Sequence, residues 1–515
     1  MSNTEYTLGI DFGTCFSFPA AVIDNNPKSL LRNEGSIGIP TCFYYDRISG
    51  ELFGEDAERL GKLNEKNSKN CIWNIKSDIL SISVDDINKS YVLDGKSYPL
   101  ITVCARILRK IVDEAEEQIR EDEGDDSITF QKAVISIPVK AGVVQKSILL
   151  SASQIPRNKG GPGLKKVGFI QEPVAAALCY AKQKKVSGDN ILVYDLGGGT
   201  FDVTLIKPSV NGPSPYEVIE SMGASIGGND FDQLLANYCA KKIQRYDSNS
   251  SISSDNRELI ESAKKAKEQL SNNDGATVEC HNHLGVRKTC DVTKDDFEKL
   301  IAKKVEETVE ITFGLANKYS LIDGNKLNDN VRVVMVGGSS QIPFIKNELK
   351  KRLKINNIPT FQPWAAIALG DAIFADNTRS IKTVSQYSYG RGKTLIDSYG
   401  VPLLKNVILK GVELPYDSGW ISEWTSHDNQ EGASLLFYEN EYLRPKLNFM
   451  DVESNLGEPK LELEINFGKP VPEDTEVKYS LSLSSDNLLS VRAKYVDPDT
   501  GKDSAVRKAE IRLIN

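Results

Sequence analysis

The sequence predicts a two-lobed α/β unit followed by an all-β unit, and three observations carry that expectation. The stretches Leu8-Gly9-Ile10-Asp11-Phe12-Gly13-Thr14 and Val193-Tyr194-Asp195-Leu196-Gly197-Gly198-Gly199-Thr200-Phe201-Asp202 share one pattern: an apolar strand ending in Asp, then Gly and Thr, then a second apolar run. The composition changes at Asp376-Asn377-Thr378-Arg379-Ser380. Beyond residue 387 the chain reads as short alternating runs separated by turn residues. One D-x-G-T pattern is no more than a strand-to-turn signal. Two in the same register point to a duplicated lobe, each copy offering a phosphate hairpin to one shared nucleotide. Glycine lets backbone N–H groups approach phosphate oxygens and cluster into an anion nest. The Thr hydroxyls can donate to phosphate, and the aspartates can hold Mg²⁺ through its water shell.

In chain order, lobe I covers residues 1–189 and lobe II residues 190–378. A polar linker covers 379–386, and the all-β domain 387–515. Lys132-Ala133-Val134-Ile135-Ser136-Ile137-Pro138 predicts a buried strand ended by Pro. Glu172-Pro173-Val174-Ala175-Ala176-Ala177 opens a helix with Pro at the favoured first position. Residues 154–166, with Gly160-Gly161-Pro162-Gly163, read as a basic flexible loop. In lobe II, helices are expected from about 229 to 271, a hairpin over 276–293 and a buried strand over Val331–Val336. In the last domain, 432–438, 460–467 and 488–496 read as strands of a sheet with one buried face.

A chain of 515 residues holds about three or four core units. Its 40% hydrophobic and 26% charged content is that of ordinary globular proteins. A net charge of −8 and a pI near 5.4 argue against a general binder of nucleic acid or anionic membrane. No apolar run is long enough to cross a bilayer, and Met1-Ser2-Asn3-Thr4-Glu5 begins no secretory signal. The eight cysteines lack C-x-x-C spacing, which fits free thiols in a cytoplasmic setting.

The motifs together resemble the seventy-kilodalton heat-shock chaperones, the DnaK-like family. The likeness rests on Asp11-Phe12-Gly13-Thr14, Asp195 to Asp202, Glu172 to Ala177, Gly227-Gly228-Asn229-Asp230-Phe231-Asp232 and Val336-Gly337-Gly338-Ser339-Ser340-Gln341-Ile342-Pro343. His427-Asp428-Asn429-Gln430 in the last domain adds to it. The resemblance implies an actin-like (ribonuclease-H-like) ATPase domain, then a β-sandwich that binds polypeptide clients. It implies that Gly13, Thr14 and Cys15 meet the β- and γ-phosphates of ATP or ADP from one side, and Gly197, Gly198, Gly199 and Thr200 from the other. Gly228, Gly337, Gly338 and Ser339 belong to the same nucleotide site, with Lys267 and Ser271 on its ribose and base side. Asp11 and Asp195 hold Mg²⁺ through water, and Lys76, in Trp73-Asn74-Ile75-Lys76, orients the attacking water. Glu172 and Asp202 complete an acidic, water-ordering shell. Positioning and charge neutralisation suffice for slow phosphoryl transfer. The sandwich implies a peptide pocket, for which Tyr399, Ser426, Ala433, Leu435 and Phe437 are the candidates. Leu435 and Phe437 serve equally as sandwich core.

Several positions depart from the family pattern. Lys264 stands where a glutamate is expected, Gln341 where an arginine stacks on adenine, and Trp364 where an aspartate lies near the base. Lys146 replaces an interdomain arginine. Gly168 replaces the arginine that receives J-domain co-chaperones, and the linker is basic rather than acidic and leucine-rich. These departures argue against ordinary J-domain stimulation. The basic segment with Arg157, Lys159, Lys165 and Lys166 suggests a dedicated protein partner instead. No helical lid is expected after the sandwich. A non-cycling, nucleotide-bound scaffold and a small-metabolite kinase are the alternatives to a chaperone. Finally, Cys280-His281-Asn282-His283 and Cys290 suggest a cross-strand cysteine pair rather than a metal site, because alternation sends the histidines to the opposite face.

Overall fold

Each of the two Asp-Gly-Thr loops closes a hairpin at the centre of its own sheet. In the first sheet the order is Lys166–Gln171, Lys132–Ile137, Thr7–Asp11, Phe16–Ile23, Asn26–Ser29. Thr7–Asp11 runs parallel to Lys132–Ile137 and antiparallel to Phe16–Ile23. In the second, Asn190–Leu196 runs parallel to Val331–Val336 and antiparallel to Phe201–Pro208, which then pairs with Tyr216–Ala224. Asp11 and Asp195 therefore end equivalent central strands, each with one parallel and one antiparallel neighbour. The computed structural model describes residues 6–513 apart from 33–37, 84–85, 87–88, 185–188, 210–215, 247–251, 254–255, 283–284, 325, 359–364, 378–384, 386, 393–394, 396–399, 413 and 485–487.

Helices cover these sheets through apolar stripes at helical spacing. Leu100–Glu123 buries Leu100, Val103, Cys104, Ile107, Leu108, Ile111, Val112, Ala115 and Ile119, then stops at Gly124, whose φ of 65° suits the left-handed cap. Lobes I and II each have their own core. A third core joins them beneath the cleft, formed by Val174–Tyr180, Val193, Val334 and the helix Ala366–Asn377. There the backbones touch. A Cβ on Gly370 would sit 1.9 Å from the Ala175 carbonyl oxygen, and one on Gly9 would sit 2.5 Å from the Ala372 nitrogen. The last helix of lobe II is thus pressed onto the first strand and the Glu172–Lys184 helix of lobe I.

The helices expected from about 229 to 271 are two, Gly228–Tyr246 and Arg257–Leu270. The hairpin is Gly275–His281 with Arg287–Thr293. Its register corrects the expected cysteine pairing: Cys290 lies opposite Val278, and Cys280 opposite Lys288. His281 turns to Glu258 at 2.8 Å, while His283 lies outside the described residues. Residues 154–166 are pinned rather than loose. Arg157 pairs with the buried Glu116, its other nitrogen lying 3.0 Å from Glu116 Oε2. Arg106 donates to the Lys159 carbonyl at 2.6 Å and Arg109 to that of Gly161 at 3.3 Å. Arg157 is therefore occupied internally, and Lys159, Lys165 and Lys166 remain exposed.

The C-terminal strands form two five-stranded sheets with a common core of Tyr389, Ile408, Phe437, Ile465, Tyr479 and Val491. Leu461–Val471 alternates buried and exposed positions, as one sheet face packed on another requires. Arg391 on one sheet meets Glu423 on the other at 2.8 Å, and the Tyr479 hydroxyl donates to Glu423 at 3.1 Å. Of the expected linker only Ser385 is described. It is buried, donates its N–H to Val412 and accepts from Gly411, both at 2.8 Å. Gly411 itself lies against lobe I, where an added Cβ would come within 3.0 Å of the Val143 oxygen.

Gly370→Ala lowers the unfolding free energy by about 1–3 kcal/mol, because backbone rather than a side chain must give way. Gly314→Ala, in a helix with nothing near the added methyl, raises it by about 0.5–1 kcal/mol. Denaturant melts of both variants check the pair.

Candidate functional site

A cavity of about 660 Å³ lies between the lobes, open along one side. Its wall contains Asp11, Gly13, Thr14, Cys15, Lys76, Glu172, Asp195, Gly197, Gly198, Gly199, Thr200, Asp202, Gly228, Lys267, Ser271, Gly337, Gly338 and Ser339, every predicted nucleotide and catalytic position. The two hairpins face each other across it, and a Cβ on Gly198 would fall 3.0 Å from the Cys15 sulfur. Local bonds fix each loop. Cys15 O accepts from Thr41 N–H at 2.8 Å, and Gly197 O accepts from Gly228 N–H at 3.0 Å and from the Ser339 hydroxyl at 2.9 Å. Gly337, at φ 84°, leaves room beside Asp195, where a Cβ would fall 2.6 Å from the carboxylate.

Charge is concentrated at the base of this cleft. Lys76 lies 2.7 Å from Glu172, with only 12% and 13% of their side chains exposed. Burial alone would lower the Lys76 ammonium, but Glu172, Asp11 and Asp195 outweigh it and hold it above the usual lysine range. Burial pushes Asp11 up to about 7 against the pull of Lys76. Burial, with Glu172 adding to it, pushes Asp195 up to about 8. Asp202 is also raised by burial, with Lys140 3.5 Å away. Lys267 is engaged within lobe II, 2.7 Å from Asp232 and 3.2 Å from the Gly228 carbonyl.

The residues present fit a hard dication. Asp11 and Asp195 line the cleft, and hard carboxylate oxygens suit Mg²⁺. Among the described residues no three His, Cys, Asp or Glu side chains converge for direct ligation.

Sequence reasoning missed Asp371. Its side chain is fully buried, with Ser136 and Asp11 beside its carboxyl. Burial first, then Asp11, keeps this acid well above the carboxylate range. The available signal was one acid inside the apolar run Ala365-Ala366-Ile367-Ala368-Leu369-Gly370-Asp371-Ala372-Ile373.

At the mouth, one face of helix Arg257–Leu270 reaches lobe I. Arg257 lies over the Trp73 ring at 5.3 Å, Glu261 meets Lys62 at 3.4 Å, and Lys264 lies over the Phe16 ring at 5.9 Å. Lys264 is thus turned to lobe I, and Gln341 lines the cavity with its amide 3.4 Å from the Ser340 hydroxyl. Trp364 lies outside the described residues. In the sandwich, Leu435 and Phe437 are spent on the sheet–sheet core, Ala433 is partly buried against it and Ser426 is exposed. Tyr399 lies outside the described residues.

The raised acids fix the sign of a pH effect. The folded state binds more protons than the unfolded one above the ordinary aspartate pKa of about 4. Stability is therefore full below that pH and falls as pH rises through about 7 and about 8. Thermal melts with chelator and no nucleotide should show Tm falling from about pH 5 to about pH 8.5. At the upper pH Asp371→Asn melts higher than the parent chain.

Comparisons with known proteins show the family. The family model described as Hsp70 protein matches residues 7–388. The chain is 27% identical over 97% of its length to a chaperone protein dnaK of Guillardia theta, spanning 78% of that protein. It is 28% identical over 97% of its length to a chloroplastic stromal 70 kDa heat shock-related protein of Pisum sativum, spanning 69% of it. It is 30% identical over 72% of its length to a chaperone protein HscA homolog of Shewanella denitrificans, spanning 58% of that relative. No helix of the described residues is long and apolar enough to cross a membrane. The chain belongs to the Hsp70 family of heat-shock chaperones.

Proposed function

We propose that the protein is an ATP-dependent chaperone of this family. It binds Mg²⁺ with ATP or ADP in the interlobe cleft, hydrolyses ATP slowly and couples the lobe angle to a sandwich that holds a polypeptide client or a dedicated protein partner. The observation that carries the reading is the buried Lys76–Glu172 pair facing Asp11 and Asp195 between two phosphate hairpins. A bound dication would supply positive charge opposite Asp11 and Asp195 and polarise the phosphates. The Lys76 ammonium, held charged by Glu172, faces the place where phosphoryl oxygens gain charge and donates to an attacking water. Glu172 and Asp202 complete an acidic shell that orders water. The backbone N–H groups of Gly13, Thr14 and Gly197 to Thr200 cradle phosphate. Lys267 and Ser271 stand on the ribose and base side. The nucleotide-binding unit is residues 1–378 and the sandwich begins near 387.

A second reading, a scaffold that binds nucleotide without turnover, draws on Gln341 in the base side of the cavity, which offers no guanidinium plane to stack on adenine. One experiment separates the two: ADP and ATP calorimetry with single-turnover hydrolysis for the parent chain and Lys76→Ala. A chaperone cycle predicts nucleotide binding in both proteins and hydrolysis slowed by about 100-fold or more in the variant. Binding without turnover in either establishes the scaffold. Absent binding in the parent chain overturns both readings.

A further inference from the structure

Four lysines line the interlobe cavity: Lys76, Lys140, Lys264 and Lys267. Three of them are paired. Lys76 lies 2.7 Å from Glu172, Lys267 2.7 Å from Asp232 and Lys140 3.5 Å from Asp202. Among the described residues no carboxylate pairs with Lys264. Its ammonium rests over the Phe16 ring instead, 5.9 Å from the centroid, near the limit of about 6 Å for a cation–π contact. The side chain is half-buried and flexible, so this point charge can be re-aimed. Its position bears on what it can meet. Phe16 directly follows Gly13-Thr14-Cys15 of the first hairpin, and a Cβ on Gly198 of the second would fall 3.0 Å from the Cys15 sulfur. Lys264 therefore stands beside the gap in which the two hairpins would hold phosphate. It belongs to the lobe II helix Arg257–Leu270, and Phe16 to the lobe I strand Phe16–Ile23. Lys267, one turn further along that helix, is already engaged by Asp232 and the Gly228 carbonyl.

We propose that Lys264 is a phosphate-binding residue of the nucleotide site and favours a nucleoside di- or triphosphate over the bare nucleoside. When the nucleotide enters, the ammonium leaves the Phe16 ring and donates to a phosphate oxygen. The exchange is favourable because an ammonium–phosphate hydrogen bond has charge on both partners, whereas the ring offers only a quadrupole. It also answers an imbalance in the cleft. The wall carries six carboxyl groups, those of Asp11, Glu172, Asp195, Asp202, Asp232 and Glu268, against four ammonium groups. A polyphosphate adds negative charge to that wall, and Lys264 is the cavity lysine not already committed to a carboxylate. Because Lys264 comes from lobe II, the same bond ties lobe II to a ligand seated on the lobe I hairpin. The contact across the mouth of the cleft then depends on the phosphates of the ligand. This inference deepens the nucleotide reading of the cleft and rests on it.

The test is calorimetry of the intact chain with Mg²⁺ and either ADP or adenosine, for the parent, Lys264→Met and Lys264→Arg. Lys264→Met is expected to weaken ADP binding by about 10-fold or more and to leave adenosine binding within about twofold. Lys264→Arg, which keeps the charge, restores most of the ADP affinity. Added salt weakens ADP binding more in the parent than in Lys264→Met, because the variant has lost one charge contact. Thermal melts without nucleotide verify that both variants fold. A merely structural lysine would shift those melts without separating ADP from adenosine. Equal ADP affinity in the parent and Lys264→Met overturns the proposal. So does an equal loss for ADP and adenosine, which places Lys264 on the sugar or base. A parent chain that binds ADP keeps the nucleotide reading whatever the variants do, and one that binds neither ligand overturns both.

Discussion

The Lys76–Glu172 ion pair is the interaction on which the cleft depends. Asp11 and Asp371 are buried around it and Asp195 is half-buried, and desolvation drives each toward its neutral form. Removing one member of a buried pair costs about 3–5 kcal/mol, because the other charge is left without compensation. Lys76 reaches the pair from the helix Ile75–Ser81 of lobe I, and Glu172 from the first turn of Glu172–Lys184. The same helix lies against Gly370 on the last helix of lobe II, so the electrostatics and the lobe contact share one element.

That arrangement explains why glycine recurs at the lobe contact and the loops. Gly9 and Gly370 allow backbone to touch backbone beneath the cleft, and Gly13, Gly198 and Gly337 allow the loops to crowd its walls. The base of the cleft is consequently stiff, while its mouth is joined by the side chains of Arg257, Glu261 and Lys264. A cleft fixed below and held above by exposed charge and ring contacts suits a change of lobe angle, because surface ion pairs and cation–π contacts are each worth only about 0.5–1 kcal/mol.

Much of this was legible in the sequence. The duplicated Asp-Gly-Thr hairpins implied two equivalent sheets, and the sheets place Asp11 and Asp195 at matching strand ends. The buried strands Lys132–Ile137 and Val331–Val336 lie where their apolar runs put them. What was misread depended on register and on distant partners. The Cys280–Cys290 pairing failed because hairpin register moves by whole residue pairs with turn length. The segment at 154–166 looked flexible from its glycines, yet Arg106, Arg109 and Glu116, far away in sequence, hold it.

By itself the sequence determined the strand-loop-strand hairpins, the change to an all-β unit and the residue types that face the cleft, because periodicity and glycine placement are local properties. Only the tertiary structure decided that Lys76 meets Glu172, that Asp371 is buried beside Asp11 and that Lys264 turns to Phe16. Each of these is a meeting of elements far apart in the chain. Its energy comes from burial and charge, which no local pattern encodes.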